Sequence, residues 1–168
     1  ALSLATSSSD GIPSVRMVLL KGLSDSGFVF YTNFDSKKGN DLKSNPNASM
    51  CFYWKSIKRQ IRVSGKVSSV DKEEADKYFA SRDYGSKISA WASSQSKVMK
   101  SSNELLDKIK EFEKKFPDKN NVPRPPHWSG WRITANEIEF WLEIKNRSHQ
   151  RLNYRKENGK WIQEILYP

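Results

Sequence analysis

Two groups of cationic residues in this sequence could bind an anionic ligand. Lys37 and Lys38 follow Ser36 at the start of a predicted helix, where backbone N–H groups and the helix dipole favour a phosphate. Arg16 lies within the apolar run RMVLLK, which ends at Lys21, and burial of a guanidinium is costly without an anion. These patterns predict binding of a phosphorylated or otherwise anionic small molecule.

Both groups also have a purely structural explanation. The lysine pair could be an exposed helix turn, and Arg16 could face water from an edge strand. Simple alternation places Arg16 and Lys21 on opposite faces of a strand, so one shared ligand would require a bulge, a twist or a position at the strand end.

A third group lies near the C-terminus, in the run IEFWLEIKNRSHQR. If this run is a strand, Arg147, His149 and Arg151 share one face at a period of two, close to Trp141. Two fixed cations, a titratable imidazole and an aromatic ring suit a planar anionic ligand. The alternative is a basic strand that faces solvent.

Length and composition fit one intracellular domain. The chain has 168 residues, 36% of them hydrophobic and 12% aromatic, which predicts a single folded domain over residues 1–168. The net charge of +10 favours nucleic acid, an anionic membrane or a phosphorylated small molecule as partner. No apolar stretch is long enough to span a membrane, and the sequence shows no secretion leader.

The cysteine and histidine content predicts a cytoplasmic protein without a metal site. Cys51 is the single cysteine, so no intramolecular disulfide can form, and two histidines do not make a zinc cluster. The motifs GxxxxGK[ST], GxGxxG, GxSxG and HExxH are absent, so side chains and helix ends must hold any nucleotide-like cofactor.

The periodicity predicts strands interrupted by helices. Turn pairs Asp10-Gly11 and Asn158-Gly159 predict an opening and a closing β-hairpin. Asp71 begins a predicted helix, with Glu74 completing a capping box. Two further helices are predicted, one over 36–46 and an amphipathic one over about 102–116. Strands are predicted at 28–32, 48–55 and 59–70 and later at SGWRITA and EIEFWL, with an extended connector at 117–126. For residues 86–97 the sequence predicts no definite secondary structure.

Seven or eight strands result, which favours a mainly β (α+β) fold: a closed or nearly closed antiparallel barrel with peripheral helices.

Eight segments of the chain, in order, resemble the pyridoxine (pyridoxamine) 5′-phosphate oxidase family: RMVLLK, FYTN, SKKG, FYW with RQIRVSG, KYFASR with SKI.AWAS.QS, WSGW, IEFW and R.H.R. The resemblance covers about Ala1 to Pro168. It implies an FMN-binding split β-barrel and a homodimer with cofactor sites at the subunit interface.

The resemblance also implies an activity. The family oxidises pyridoxine 5′-phosphate or pyridoxamine 5′-phosphate to pyridoxal 5′-phosphate, and O2 reoxidises the flavin to give H2O2. Family members carry a segment before the barrel, and this chain opens at Ala1 within a predicted strand, so we expect that segment to be missing here. Partners are then the vitamer phosphate, O2 and a second copy of the chain, without nucleic acid or membrane.

Carried over residue by residue, the resemblance assigns three sets of side chains. Arg147 and His149 are the expected catalytic pair, facing the pyridine ring of the substrate. The expected FMN-binding residues are Arg16, Met17, Val18, Leu19, Leu20, Lys21, Tyr31, Thr32, Lys37, Lys38, Gln60, Gln95, Ser96, Trp141 and Arg151. The expected substrate-binding residues are Lys21, Tyr78, Arg82, Ser86, Arg147 and His149, with Tyr78, Arg82 and Ser86 on the phosphate.

The chain departs from the family pattern at two places. Leu142-Glu143 replaces the usual Gln-Gly after the tryptophan, and Ser148 and Gln150 replace the usual leucine and aspartate around the histidine. These departures leave open an FMN-binding split-barrel protein without oxidase activity. A basic barrel that binds single-stranded nucleic acid is a further alternative, which predicts a colourless protein and strongly salt-dependent oligonucleotide binding.

Overall fold

The computed structural model describes all 168 residues, which form nine strands and four α-helices. The strands are β1 (Leu2–Ser7), β2 (Pro13–Val18), β3 (Gly22–Ser24), β4 (Gly27–Asn33), β5 (Asn47–Trp54), β6 (Arg59–Ser69), β7 (Trp128–Leu142), β8 (Gln150–Glu157) and β9 (Lys160–Leu166). The helices are α1 (Lys37–Ser44), α2 (Lys72–Ala80), α3 (Tyr84–Ala92) and α4 (Asn103–Lys115). Short 3₁₀ turns lie at Lys55–Ile57 and Lys145–Arg147.

All nine strands belong to one sheet that does not close. Its order is β2-β1-β5-β6-β7-β4-β3, and β8 pairs with β7 and with β9. The pairs β1–β2, β1–β5, β3–β4, β5–β6, β7–β8 and β8–β9 are antiparallel. The predicted antiparallel split barrel with peripheral helices is therefore confirmed, and full closure does not occur.

The chain divides into two compact units. The first comprises Ala1–Phe30, Asp41–Ser68 and Arg132–Pro168, and the second comprises Tyr31–Asn40 and Ser69–Trp131. The buried interior of the first unit includes Leu2, Leu4, Met50, Val63 and Ile133. The core of the second unit is built on Phe79, Ile88, Val122 and Trp128. None of the helices is both long and apolar enough to cross a membrane.

Local sequence signals account for most element ends. Asn158 and Gly159 have φ of 48° and 81°, as the predicted type I′ turn between β8 and β9 requires. Gly11 has φ of 78° between β1 and β2. The carboxylate of Asp71 accepts a hydrogen bond from the backbone N–H of Glu74 at 2.7 Å, so the predicted cap of α2 is confirmed.

Three predicted elements differ from the structure. SGWRITA and EIEFWL form one continuous strand, β7, of 15 residues. Residues 86–97, for which the sequence predicts no definite secondary structure, belong in part to α3. Asp83 caps this helix, because its carboxylate accepts a hydrogen bond from Ser86 N–H at 2.8 Å. β3 is an additional strand of three residues, too short to show a period of two.

The middle strand β7 is approached closely on both sides. A Cβ atom at Gly65 of β6 would overlap the carbonyl oxygen of Thr134, and one at Gly27 of β4 would overlap that of Ile133. Glycine at these two positions therefore permits the backbones to come close to β7.

Candidate functional site

Arg16 occupies an edge strand and not the buried strand that RMVLLK suggested. β2 ends the sheet, and its side chains alternate, with Val15 and Met17 exposed and Arg16 half-buried. Arg16 Nη1 donates to Thr6 Oγ1 at 2.7 Å, and Nη2 lies 3.9 Å from Asp41 Oδ2. Burial lowers the pKa of Arg16, and the charge of Asp41 partly offsets this. The anion that the guanidinium needs is thus supplied in part by the protein.

The other residues of that run lie beyond regular structure or on the exposed side. Leu19 is exposed, Val18 ends β2, and the Lys21 N–H donates to the Val29 carbonyl at 2.8 Å. The geometry of an edge strand leaves backbone groups of this segment accessible to a ligand.

In the second unit, three predicted FMN-binding residues form one polar network. The ammonium of Lys38, which is buried, donates to Thr32 Oγ1 and to Gln95 Oε1, both at 2.9 Å. Thr32 Oγ1 also lies 3.1 Å from Gln95 Oε1. Ser96, next to Gln95, has φ of 70°, so the chain turns sharply there. The structure therefore brings together residues that are far apart in sequence.

Ser36 fixes the start of α1 beside this network. Its hydroxyl accepts a hydrogen bond from Gly39 N–H at 3.3 Å, so Ser36 caps the helix, and it also accepts from Lys38 Nζ at 3.2 Å. Lys37 is exposed at the first helical position. The positive end of the helix dipole and the charges of two lysines thus lie at one place, which favours a phosphate electrostatically.

Arg82 contains a buried N–H group without a partner. Its Nη1 atom is buried and makes no hydrogen bond, and its guanidinium carbon lies 4.7 Å from the ring centroid of Trp128. Burial is the largest influence on the pKa of Arg82 and lowers it. Because an unsatisfied buried donor costs free energy, this group is suited to an incoming anion.

Aromatic rings and a helix end surround Arg82. Tyr78 stacks on Tyr31 with ring centroids 3.9 Å apart, and Tyr31 stacks on Trp128 at 5.3 Å. Ser86 is in the first turn of α3, directly after the Asp83 cap. The three residues predicted to bind the substrate phosphate, Tyr78, Arg82 and Ser86, therefore occupy the α2–α3 region of one unit.

In the first unit, Gln60 and Trp141 line a cavity of 370 Å³ together with the apolar side chains of Trp54, Phe140 and Leu142. Both were predicted to contact FMN, and an aromatic, largely apolar cavity suits a planar ring. Leu142, one of the departures from the family pattern, is part of this lining.

His149 is held by its neighbours. Its ring packs against Trp141 with centroids 4.6 Å apart, and its Nδ1 accepts a hydrogen bond from the backbone N–H of Ile144 at 3.2 Å. An Nδ1 that accepts a hydrogen bond places the proton of the neutral imidazole on Nε2. His149 therefore presents an N–H donor on its far side.

The predicted strand face of Arg147, His149 and Arg151 is wrong. Arg147 ends a 3₁₀ turn and has φ of 61°, Asn146 has φ of 57°, and β8 begins only at Gln150. The chain must reverse between β7 and β8, whose pairing starts at Leu142 and Gln150, so the segment between them is a loop. Of the three residues, only Arg151 lies on a strand. Arg147 and His149 lie in the loop, where side chains do not alternate between two faces.

Arg151 has an ionic partner that sequence reasoning missed. Glu139 on β7 is buried, and its carboxylate accepts hydrogen bonds from Arg151 and from Arg62. The hydrogen bond from Arg151 is the largest influence on the pKa of Glu139, which lies below its ordinary value of 4.5. The sequence did contain a signal for this ion pair. Glu139 stands between Ile138 and Phe140 in an apolar strand, and a carboxylate at such a position needs a cationic partner.

The chain has an open antiparallel sheet, a helix start that carries two lysines, an aromatic cavity and a buried arginine N–H group without a partner, features typical of proteins that bind planar phosphorylated ligands. Two family models match the chain: pyridoxamine 5′-phosphate oxidase over residues 1–116, and the pyridoxine 5′-phosphate oxidase C-terminal dimerisation region over residues 128–168. The chain belongs to the pyridoxamine 5′-phosphate oxidase family, as the sequence motifs predicted.

Curated relatives resemble the chain over its full length. The pyridoxine/pyridoxamine 5′-phosphate oxidase of Pelagibacter ubique is 54% identical and is matched over 81% of its length. The enzyme of the same name from Agrobacterium fabrum is 48% identical and is matched over 82% of its length. Both alignments cover 100% of this chain.

Solved structures show the same fold. PhzG from Burkholderia lata 383, solved in complex with tetrahydrophenazine-1-carboxylic acid, has a TM-score of 0.94 and 32% identity, and the match covers all of this chain and 82% of PhzG. A pyridoxamine 5′-phosphate oxidase-related, FMN-binding protein from Nostoc punctiforme has a TM-score of 0.78 and 17% identity, with 99% and 87% covered. At that identity, the second match shows the fold alone.

Proposed function

We propose that this chain is an FMN-dependent oxidase that converts pyridoxine 5′-phosphate or pyridoxamine 5′-phosphate to pyridoxal 5′-phosphate, with O2 as acceptor and H2O2 as product. With pyridoxamine 5′-phosphate, the reaction also consumes one water and releases ammonia. The relatives that are 45–54% identical over the whole chain carry the name of this enzyme, which supports the reaction class. The observation that carries the assignment to a phosphorylated substrate is the buried, unpartnered Nη1 of Arg82 beside the start of α3.

The residues of the site fit FMN. Lys37 and the start of α1 supply donors for its phosphate. The three N–H bonds of the Lys38 ammonium go to Thr32, Ser36 and Gln95, so Lys38 contributes its positive charge. A contact of Arg16 with FMN follows from the family resemblance. The cavity that Gln60 and Trp141 line has the aromatic and apolar character that an isoalloxazine ring requires. When bound, FMN supplies the hydride acceptor for substrate C4′ and the reaction with O2.

The protein then has to place the substrate. The Arg82 guanidinium, stacked on Trp128, binds the substrate phosphate together with Tyr78 and Ser86. Substrate contacts by Lys21 and Arg147 follow from the family resemblance. The Nε2–H of His149 donates a hydrogen bond to a polar atom of the pyridine ring. Such fixed contacts orient the reacting carbon, and none of these side chains has to act as a nucleophile.

We further propose that the active form is a homodimer. The second matched region is a dimerisation region, and it contains the exposed apolar side chains Ile165 and Tyr167, which are 84% and 94% exposed. Val15 and Met17 form a further exposed apolar row on the edge strand β2. Exposed apolar rows of this kind are typical of protein interfaces.

We also propose that the protein is located in the cytoplasm. Its single cysteine, Cys51, is free, which fits that reducing compartment.

The experiment is a spectrum followed by an assay. We expect the purified protein with FMN to be yellow and to form pyridoxal 5′-phosphate and H2O2 in equal amounts from pyridoxine 5′-phosphate or pyridoxamine 5′-phosphate. Dephosphorylated pyridoxine is the matched control, because it lacks the group that Arg82 binds. A yellow protein that turns over neither vitamer phosphate would overturn the proposed activity and favour the FMN-binding alternative.

A further inference from the structure

Glu139 is a buried carboxylate for which the proposed reaction has no direct use. Its side chain is 5% exposed, and it lies on β7 between the apolar residues Ile138 and Phe140. Burial of a carboxylate is costly unless cations and hydrogen bonds compensate for the lost water. Arg62 on β6 and Arg151 on β8 provide both, from two of the strands that pair with β7.

The contact with Arg151 fixes the plane of its guanidinium. Nε donates to Oε1 of Glu139 at 2.8 Å, and Nη2 donates to Oε2 at 3.0 Å. Nη1 donates to the carbonyl oxygen of Tyr167 at 2.9 Å. Two parallel hydrogen bonds to one carboxylate and a third at the opposite edge leave the group little rotational freedom.

The fixed guanidinium keeps binding capacity. An arginine side chain has five N–H donors, and these contacts use three of them, so one remains on Nη1 and one on Nη2. The Arg151 side chain is 25% exposed, which leaves the group open to a ligand.

We propose that Glu139 is a positioning residue that orients the Arg151 guanidinium for FMN. This inference rests on the proposed function and on the contact between Arg151 and FMN that the family resemblance implies. The carboxylate is negative, so its own field disfavours an anionic cofactor. Any gain in FMN affinity from Glu139 therefore comes from the orientation of Arg151. The field of the carboxylate lowers FMN affinity and the orientation of Arg151 raises it, so the two effects of Glu139 have opposite signs.

The first test is the FMN dissociation constant of Glu139→Gln, measured by quenching of flavin fluorescence on apoprotein. We expect affinity to fall about tenfold, which is 1.4 kcal/mol, because the amide does not hold two donors of Arg151. A tighter complex would show that the charge of Glu139 matters and its positioning does not. Glu137→Gln, an exposed carboxylate two residues earlier on the same strand, is the matched control and should leave the affinity unchanged.

The second test separates anchoring from charge. The double variant Glu139→Gln/Arg62→Gln removes one negative and one positive group, so the net charge of the three side chains is the same as before. We expect it to lose FMN affinity as the single variant does. In an Arg151→Met background, Glu139→Gln should no longer lower FMN affinity, because the group that Glu139 orients is gone and only the unfavourable field of its carboxylate remains to be removed.

The outcomes distinguish the two levels of the argument. If the unmodified protein does not bind FMN, or if Arg151→Met binds it normally, the proposed role of Arg151 fails. If Arg151→Met binds weakly and Glu139→Gln binds normally, only the positioning role is wrong. Should Glu139→Gln not fold, Glu139→Asp keeps the charge and shortens the reach, and unchanged FMN affinity in that variant would overturn the inference.

Discussion

The backbone N–H of Ile144 donates a hydrogen bond to Nδ1 of His149 at 3.2 Å, and this sets which nitrogen of the neutral ring carries the proton. The contact lies within the loop that joins β7 to β8, and the ring is packed on Trp141. The tautomer is therefore a property of the loop conformation, and the side chain offers its Nε2–H to a ligand.

The first prediction tests that donor. His149→Gln places an amide N–H near the position of Nε2, whereas the shorter amide of His149→Asn does not reach it. We expect kcat/KM for pyridoxine 5′-phosphate to fall about tenfold more in His149→Asn than in His149→Gln, the value of one hydrogen bond. Steady-state kinetics at saturating FMN measure this, and equal losses in the two variants would argue against a donor role.

The second prediction concerns Arg82. Arg82→Lys keeps the charge but loses the planar group that stacks on Trp128, so we expect it to behave like Arg82→Ala. KM for the vitamer phosphates should rise about 10- to 100-fold, the range for a charge-assisted hydrogen bond. FMN affinity should stay unchanged, and the exposed Lys77→Ala on α2 is the control. A normal KM in Arg82→Ala would remove the residue from the substrate site.

The third prediction compares Lys37 with Lys38. Lys38 is buried and bonded to Thr32 and Gln95, whereas Lys37 is exposed. Lys38→Met should therefore weaken FMN binding at least tenfold at any ionic strength, and Lys37→Met should do so mainly at low salt, where exposed charges are less screened. Fluorescence titration at two salt concentrations measures both. Equal salt dependence of the two variants contradicts the assignment.

The fourth prediction follows from the lowered pKa of Glu139. Because its folded pKa lies below the ordinary 4.5, the carboxylate adds stability above that pH, and this stability is lost as pH falls through the lower folded value. The melting temperature should thus drop below pH 4.5 more steeply in the parent protein than in Glu139→Gln. Thermal melts from pH 6 down to about 3 test this, and parallel curves would show that the group does not drive acid unfolding.

The fifth prediction concerns the C-terminal strand. Ile165→Glu puts a charge on a side chain that is 84% exposed in the single chain, so it should not disturb the fold. If this face of β9 lies in a dimer interface, the variant should sediment as a monomer and lose FMN affinity. The control Lys160→Gln makes the same change in net charge on the opposite face of the strand and should remain dimeric. A dimeric Ile165→Glu protein would exclude this face from the interface.

Local signals in the sequence predicted the two hairpins and the capped start of α2 well, whereas α3 and its Asp83 cap were missed. Asn158-Gly159 and the Asp71 cap each depend on a few neighbouring residues, so a single sequence contains the information. The lysines at the start of α1 were found on the same basis.

Features that depend on partners distant in sequence were missed. The alternation of Arg147, His149 and Arg151 is also compatible with a hairpin loop, and only the pairing of Leu142 with Gln150 shows where the strands end. Likewise, Arg16 looks unpaired until Asp41, from α1, comes next to it. The platform that Trp128 provides for Arg82 also joins residues far apart in the chain.

The place of β7 in the sheet has a consequence for the order in which the protein assembles. β4 and β6 both neighbour β7, yet all four helices and two strands are made after β4 and before β7. During synthesis, the edges of β4 and β6 therefore remain without their partner until β7 emerges. Pairing between strands that are far apart in the sequence slows folding. Until β7 pairs with them, the unpaired edges of β4 and β6 are the part of the nascent chain most exposed to aggregation.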